Sequence, residues 1–269
     1  MPTLALEGRE LYYEVAGDGP DVVLVHSAIA DHTLWDAQFE ALRERFRVLR
    51  YDVAGFGQSP LPSGPFSHLD DLRALLGHTG IGRAAFVGSS NGGRIALEYS
   101  IVHPDVVDAL VLVGAGLPDH DWSDEMQRAD AEEERLFEAG DFEGAAEGQV
   151  RFWVDGPGRG PDAVAQELRE HARRMILRSY ELYSEAAKDG HPGPVRWLDP
   201  PAAGRLGEIR APTLIVVGDQ DAPDILRIAE RFEREIPGAR TDVVAGAAHL
   251  LPLEKPDELN RLLVDFLGT

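Results

Sequence analysis

The sequence predicts an α/β domain with a mostly parallel central sheet, helices on both faces and an inserted helical cap. Three observations lead to this prediction. Short apolar runs typical of buried strands alternate with segments of helical periodicity. One of these runs enters a Gly-x-Ser-x-Gly frame and leaves it as a helix pattern. The alternation stops near residue 117 and resumes after residue 210, as expected for an insertion.

The strand-like and helix-like segments follow one another with few interruptions. Residues 17–20, Gly-Asp-Gly-Pro, indicate a turn between the first two strands. Strands are expected at residues 11–16, 22–26, 47–51, 84–87 and 106–113, from 212 onward, and at 241–244. Helices are expected at 33–42, at 69–76 ending at Gly77, from Asn91 to His103, and at 225–236 and 256–266. Strands separated by helices pair in parallel, and helices then cover both faces of their sheet.

Composition indicates one catalytic domain that carries an insertion. The 269 residues, 43% of them hydrophobic, are enough to bury a large core. We expect a core formed by residues 1–116 and 211–269, and a cap formed by residues 117–210. Helix formers and charged residues are concentrated at 124–138 and 164–183 within that cap.

Charge and residue types exclude several classes of partner. The formal net charge is −21, which disfavours binding to nucleic acid and to anionic membranes because both depend on Lys and Arg. The sequence has no cysteine and no apolar run near the roughly 20 residues of a membrane span. It also lacks a basic, apolar leader, so we expect a soluble cytoplasmic protein. Its oligomeric state is left open.

Neither a metal nor an organic cofactor is expected. There is no His-x-x-x-His pair or cysteine cluster to supply metal ligands, and acidic runs such as residues 132–134 are typical of a solvated helix face. The spacing of Gly55 and Gly57, and that of Gly88 and Gly92, differ from dinucleotide-binding and P-loop patterns.

The Gly-x-Ser-x-Gly frame is typical of a nucleophile elbow. The serine of an elbow lies in a tight strand-to-helix turn, so residues two positions away on either side must be small. Gly88 and Gly92 meet this demand around Ser90, which makes Ser90 and not Ser89 the candidate nucleophile. Gly93 would let the following helix pack close to the sheet.

An acid and a base follow the serine in the order that this type of site requires. Asp221 comes after the apolar run that begins at residue 212, and His249 comes after the strand expected at 241–244. Open α/β sheets place their sites at the carboxyl ends of the strands. The sequence therefore predicts a Ser90–His249–Asp221 triad, although Asp219 and Asp224 lie near the same strand end.

These segments together resemble the α/β-hydrolase superfamily over nearly the whole chain. The resemblance rests on residues 22–26, similar to the third strand and oxyanion turn; 51–59, similar to the Asp-x-x-Gly-x-Gly-x-Ser loop; the elbow; Gly-Asp-x-Asp at 218–221; and His249. The family pattern Gly-x-x-Asp favours Asp221 over Asp219. The likeness is greatest to the enol-lactonase and small-ester hydrolase group, because of Trp35-Asp36-x-Gln38 and Phe152-Trp153.

The resemblance implies roles for further residues. The backbone N–H groups of Ala28 and Asn91 would form the oxyanion hole. Ser27 stands where the family usually has glycine, so its hydroxyl is a candidate addition to the pocket, whereas His26 would fix the turn. Caps of this superfamily roof the active site, which makes three aromatic residues candidate pocket walls, unless they only pack the cap onto the core. These are Trp122, Phe152 and Trp153.

The expected reaction is hydrolysis of a small carboxylic ester or lactone through an acyl-enzyme. Haloalkane dehalogenases and epoxide hydrolases of this fold need an aspartate nucleophile, which Ser90 disfavours. Carbon–carbon bond hydrolysis and perhydrolysis remain enzyme alternatives. A small-molecule receptor that retains the triad is an alternative of another class.

Overall fold

A computed structural model describes residues 2–6, 8–188, 190 and 192–268. The strands in this part of the chain are β1 (Thr3–Leu6), β2 (Arg9–Ala16), β3 (Asp21–Val25), β4 (Arg47–Tyr51), β5 (Ala84–Ser89), β6 (Val107–Val113), β7 (Thr213–Gly218) and β8 (Arg240–Val244). They form one sheet in the order β1-β2-β4-β3-β5-β6-β7-β8. β2 pairs antiparallel with β1 and with β4, and all the other pairs are parallel. The predicted mostly parallel sheet is confirmed.

Helices cover both faces of the sheet. They are α1 (Asp36–Leu42), α2 (His68–Thr79), α3 (Asn91–Val102), α4 (Asp124–Glu138), α5 (Phe142–Gln149), α6 (Gln166–Lys188), α7 (Pro223–Glu235), α8 (Leu251–Glu254) and α9 (Pro256–Leu267). Successive strand residues point to opposite faces, so Val23 and Val25 join the cluster with α2, α3 and α7. Val22 and Leu24 join the cluster with α1 and α9. Two apolar layers therefore fix the sheet from both sides.

Several boundaries differ from the sequence expectation. Strand β1 was not expected, and the third strand ends at Val25, one residue earlier. The expected helix at 33–42 begins as a 3₁₀ turn, His32–Trp35. Helix α2 continues through Gly77 and ends before Gly80, whose φ of 71° places it in the left-handed region. A glycine with negative φ is tolerated inside a helix, whereas one with positive φ ends it.

The insertion between β6 and β7 is mainly helical. It contains α4, α5, a π-helical turn (Val150–Asp155) and α6. Two short turns that follow, Ala202–Gly204 and Leu206–Glu208, contact α3 and α7 of the core. The helical part of the expected cap thus precedes a connection that lies on the core. Among the described residues, no helix combines the length and the apolar character that crossing a membrane requires.

Candidate active site

Ser90 lies in a strained turn between β5 and α3. Its φ of 52° and ψ of −115° are unusual for a residue with a side chain. A Cβ on Gly88 would lie 2.3 Å from the carbonyl oxygen of Gly92, and one on Gly92 would lie 2.2 Å from that of Val25. Both flanking positions thus require glycine. The Ser90 N–H donates to the Val113 carbonyl at 3.0 Å, which anchors the turn to β6.

His249 and Asp221 form a buried pair at the ends of β8 and β7. The Nδ1 atom of His249 lies 3.0 and 2.9 Å from the two carboxylate oxygens of Asp221. The Ala222 N–H also donates to this carboxylate at 2.7 Å. When Nδ1 carries a proton toward Asp221, Nε2 keeps its lone pair. The pair therefore has the arrangement of an oriented general base.

The two neighbouring aspartates have other partners. Asp219 accepts a hydrogen bond from the backbone N–H of Gly246 at 2.7 Å. Asp224 accepts from Ser123 Oγ at 2.6 Å and from Arg227 Nη2 at 2.6 Å. Of the three aspartates, it is Asp221 that contacts His249.

A short segment after β6 connects the serine to this pair. The Gly116 N–H donates to the Ser90 carbonyl at 3.1 Å. A Cβ on Gly114 would lie 3.2 Å from Asp221 Oδ2 and 3.3 Å from His249 Nδ1. Ser90, Asp221 and His249 therefore all lie at the carboxyl edge of the sheet, each beyond the end of its own strand.

The π-helical turn of the cap supports His249. The Trp153 ring lies 4.3 Å from the imidazole ring of His249 between centroids. The backbone N–H of His249 donates to the backbone carbonyl of Trp153 at 3.3 Å. Trp153 is 9% exposed. A residue expected as a candidate pocket wall is thus the packing surface of the candidate base.

The turn after β3 is held by a buried, neutral histidine. His26 Nδ1 donates to the Ser27 carbonyl at 2.7 Å, and Nε2 accepts from the Val53 N–H at 2.9 Å. With the ring proton on Nδ1, both nitrogens of the His26 ring have a partner. Burial lowers the pKa of His26. The turn presents Ala28 on the surface of a cavity, beside Asn91. The Ser27 side chain is fully buried and does not line that cavity.

The cavity has a volume of about 900 Å³ and lies between core and cap. The expected wall residues Trp122, Phe152 and Trp153 are not part of its lining. Trp122 packs edge-on against His120, with ring centroids 4.9 Å apart, and Phe152 packs edge-on against Trp153 at 4.8 Å. The lining residues are Ala28, Ala54, Gly55, Phe56, Leu61, Phe66, His68, Asn91, Asp130, Glu133, Glu134, Phe137, Glu138, Ser179, Tyr180, Tyr183, Ala187, Val195 and Trp197.

His68 is a cavity residue that sequence reasoning missed. It is 5% exposed, its ring lies 5.0 Å from that of Trp197 between centroids, and its Nδ1 atom is buried without a hydrogen-bond partner among the described residues. Burial, together with the nearby charges of Arg94 and Arg9, lowers the pKa of His68 to about 4. His68 begins α2, a position that carries no motif, so the sequence offered no signal for it.

One group of side chains has the composition of a metal site. Asp31, His32 and Asp52 place possible ligand atoms within 4.8 Å of one another. These atoms are already hydrogen-bonded, since Asp52 accepts from the N–H of His32 at 2.7 Å and pairs with its Nδ1 at 2.8 Å. Burial opposes both charges, but their mutual contact holds the pKa of Asp52 low and that of His32 high. The arrangement is that of a buried ion pair beneath the β4 loop.

Comparison with known proteins identifies the family. The family model described as "alpha/beta hydrolase fold" matches residues 20–256. The chain belongs to this family. The predicted superfamily is thereby confirmed, and the chain is a hydrolase.

Similar proteins are named for several substrates. A protein of Azorhizobium caulinodans named for carbamate hydrolysis, RutD, is 29% identical over 283 residues, which cover 100% of this chain and 98% of the relative. The solved structure of the enol-lactonase from Burkholderia xenovorans LB400 has a TM-score of 0.78 at 25% identity and covers 100% of both chains. A thermophilic esterase from Thermogutta terrifontis has a TM-score of 0.77 at 28% identity, with 99% and 96% covered.

Proposed function

We propose that this hydrolase cleaves a small carboxylic ester or lactone by a serine mechanism. One observation carries the proposal: the buried His249–Asp221 pair and the strained Ser90 turn lie at the same edge of the sheet, and Asn91, the residue after Ser90, lines the cavity. A strained serine next to an oriented imidazole is the arrangement that nucleophilic acyl transfer needs.

In the proposed reaction, His249 transfers protons between Ser90, the leaving group and water. His249 Nε2 takes the proton of Ser90 as the hydroxyl oxygen attacks the substrate carbonyl, and Asp221 stabilises the imidazolium that results. The backbone N–H groups of Ala28 and Asn91 receive the oxyanion. The imidazolium gives the proton to the leaving oxygen. In the second half of the reaction, His249 takes a proton from water as the water attacks the acyl-enzyme, and then returns it to the Ser90 oxygen as that oxygen leaves.

The choice of bond rests on the similar proteins. An enol-lactonase and an esterase of the same fold, each covering nearly the whole chain, support an ester or lactone substrate. The full-length likeness to RutD supports a carbamate as the second candidate. Both groups present a carbonyl to the same nucleophile and differ in the leaving group.

The first test is turnover of p-nitrophenyl acetate, followed well past one equivalent of product. We expect wild type to turn over repeatedly and Ser90→Ala to lose turnover while remaining folded. Ser89→Ala is the matched control, because Ser89 is a fully buried neighbour outside the proposed mechanism.

Two outcomes would contradict the proposal. Undiminished turnover in folded Ser90→Ala would remove the nucleophile assignment. A stall at one equivalent in wild type would favour a receptor that cleaves its ligand once.

If wild type turns over, a panel of lactones, esters and carbamates then ranks the substrate classes by kcat/KM.

A further inference from the structure

The cap side of the cavity is acidic where an apolar wall is usual. Five lining residues of α4 recur at helical spacing and share one face: Asp130, Glu133, Glu134, Phe137 and Glu138. A helix face that looks into a cavity ordinarily carries apolar residues. Here four of the five are carboxylic acids.

These carboxylates lack compensating cations. None of the described lining residues is Lys or Arg, and the one lining histidine, His68, has a lowered pKa of about 4. Within the described part of the chain, the side chains of Asp130, Glu134 and Glu138 have neither an ion pair nor a hydrogen bond. Glu133 accepts from Tyr180 Oη at 2.5 Å and from Gln149 Nε2 at 2.6 Å, both neutral donors.

Two guanidinium groups that adjoin lining residues, Arg94 beside Trp197 and Arg178 beside Ser179, are engaged with other partners. Arg94 stacks 3.5 Å from the centre of the Trp197 ring and forms an ion pair with buried Glu98 at 2.8 Å. Arg178 donates to the Gly57 carbonyl at 3.1 Å and pairs with Glu181 at 3.0 Å. Consistent with a wall short of positive charge, burial and the charge of Asp130 raise the pKa of Glu133.

Aromatic rings complete the same wall. Phe137 makes edge contacts with Tyr180 and Tyr183, at centroid distances of 5.2 and 5.5 Å. Tyr183 is 46% exposed, an unusual degree for so large a ring. Phe56, Phe66 and Trp197 face the cavity from the core side. Aromatic faces together with carboxylates are the surroundings that attract alkylammonium groups.

We propose that this cavity binds a substrate with a cationic group, an alkylammonium or quaternary ammonium, against the α4 face, while its ester or lactone carbonyl lies toward Ala28 and Asn91. The inference rests on the proposed function and names its substrate class. His68, buried against Phe66 and Trp197 on the core side of the cavity with its Nδ1 unpartnered, supplies a neutral hydrogen-bonding group for the middle of the substrate. Carboxylate-bearing substrates are disfavoured by repulsion from α4.

The test compares p-nitrophenyl esters of three acids with a six-carbon chain and different ends. The ends are trimethylammonium, its uncharged tert-butyl isostere, and carboxylate. We expect kcat/KM to be about tenfold higher for the cationic ester than for the neutral ester, and about tenfold lower for the anionic ester. High salt should narrow these ratios. Equal values for the cationic and anionic esters would overturn the inference and leave the proposed function standing.

Variants of α4 locate the effect. Glu134→Gln with Glu138→Gln should reduce the cation-to-anion ratio at least fivefold. Glu125→Gln with Glu132→Gln removes the same charge from the same helix outside the cavity, and should leave the ratio near that of wild type. An equal loss in both double variants would mean that overall charge, not the cavity wall, causes the preference.

Binding to Ser90→Ala separates the inference from the proposed reaction. Calorimetric titration with the three esters should give a Kd about tenfold lower for the cationic ester than for the neutral one. This readout needs no turnover. Selective binding without turnover in wild type would reject the proposed function alone, and binding without charge preference would reject the inference.

Discussion

At the residue scale, three aspartates lie close together after β7, and their hydrogen bonds separate their roles. Asp221 binds His249, Asp219 binds the backbone of the β8 loop, and Asp224 binds the start of the cap. The family spacing favoured Asp221, although Asp219 and Asp224 lie near the same strand end in the sequence. Only the folded chain shows which carboxylate reaches the imidazole.

The Asp221→Asn variant should lose activity without losing its fold. The amide keeps the shape of the side chain but favours the wrong imidazole tautomer, so kcat should fall about 10⁴-fold. Asp219→Asn is the control, since its amide oxygen can still accept from Gly246. Ester turnover of both variants measures the loss of activity, and their unfolding midpoints show whether each variant remains folded. Similar kcat values for the two variants would contradict the role of Asp221.

Some residues of the candidate site were predictable from the sequence, and others were not. Ser90 and His249 follow strands in a fixed order, and the flanking glycines of Ser90 are required by backbone contacts that any such elbow has. His68 and Trp197 reach the cavity through the fold of distant segments, without a local pattern. A sequence motif reflects the local geometry of neighbouring residues, whereas the lining of a cavity depends on how distant segments pack together.

At the element scale, the π-helical turn Val150–Asp155 determines where Trp153 lies. An α-helical continuation of α5 would rotate this side chain away, because each residue in a helix turns by a fixed angle. The Asp155 carboxylate, paired with buried Arg169, holds the end of the turn. The turn therefore couples the cap to His249.

Trp153→Ala should lower kcat by roughly 10²-fold with a small change in KM, because the imidazole loses its packing surface and drifts from its reactive position. Trp153→Phe should restore most of kcat. Phe152→Ala is the adjacent control, since Phe152 contacts Trp153 and not His249. Steady-state kinetics on one ester give both parameters. A rise in KM at constant kcat would instead indicate a direct role in substrate binding.

Asp224 binds Ser123 at the start of the cap, and its contribution to the stability of the fold should depend on pH. Burial alone would raise its pKa, but hydrogen bonds from Ser123, His120 and Arg227 lower it to about 2. A carboxylate with a lowered folded-state pKa stabilises the fold above its ordinary pKa of 3.8, and this stability is lost as the pH falls toward 2.

Asp224→Asn should therefore lower the free energy of unfolding by about 1–3 kcal/mol near neutral pH. Denaturant unfolding of wild type and variant at pH 6 and at pH 2.5 measures the difference. The gap between them should shrink at the lower pH. A gap that stays constant would show that the charge of Asp224 does not contribute.

Element boundaries were less predictable than element types. The sequence predicted that helix α2 ends at Gly77, but this helix contains Gly77 and ends before Gly80. Which of them adopts positive φ depends on where the chain must turn toward β5, a tertiary constraint. The alternation of strands and helices, by contrast, follows from which residues are apolar, and it was predictable through most of the core, with β1 as an exception.

At the scale of the whole molecule, the formal net charge of −21 acts against compactness. We expect NaCl to stabilise the fold by screening this repulsion, by about 1 kcal/mol or about 2–4 °C in Tm between 10 and 200 mM. Calorimetric scans at a series of salt concentrations measure the shift. The Glu125→Lys, Glu132→Lys variant, with four fewer units of negative charge, should respond less. A Tm that falls with salt would mean that favourable ion pairs dominate.

The order of the strands also bears on how the protein behaves in concentrated solution. The two strands at the sheet edges, β1 and β8, have four and five residues, and β8 carries Arg240 and Asp242. Edge strands this short offer few consecutive unpaired backbone groups to a neighbouring molecule, and the charges on β8 disfavour pairing further. Intermolecular strand pairing, the first step toward fibrillar aggregates, is thereby impeded at both ends of the sheet while the chain stays folded.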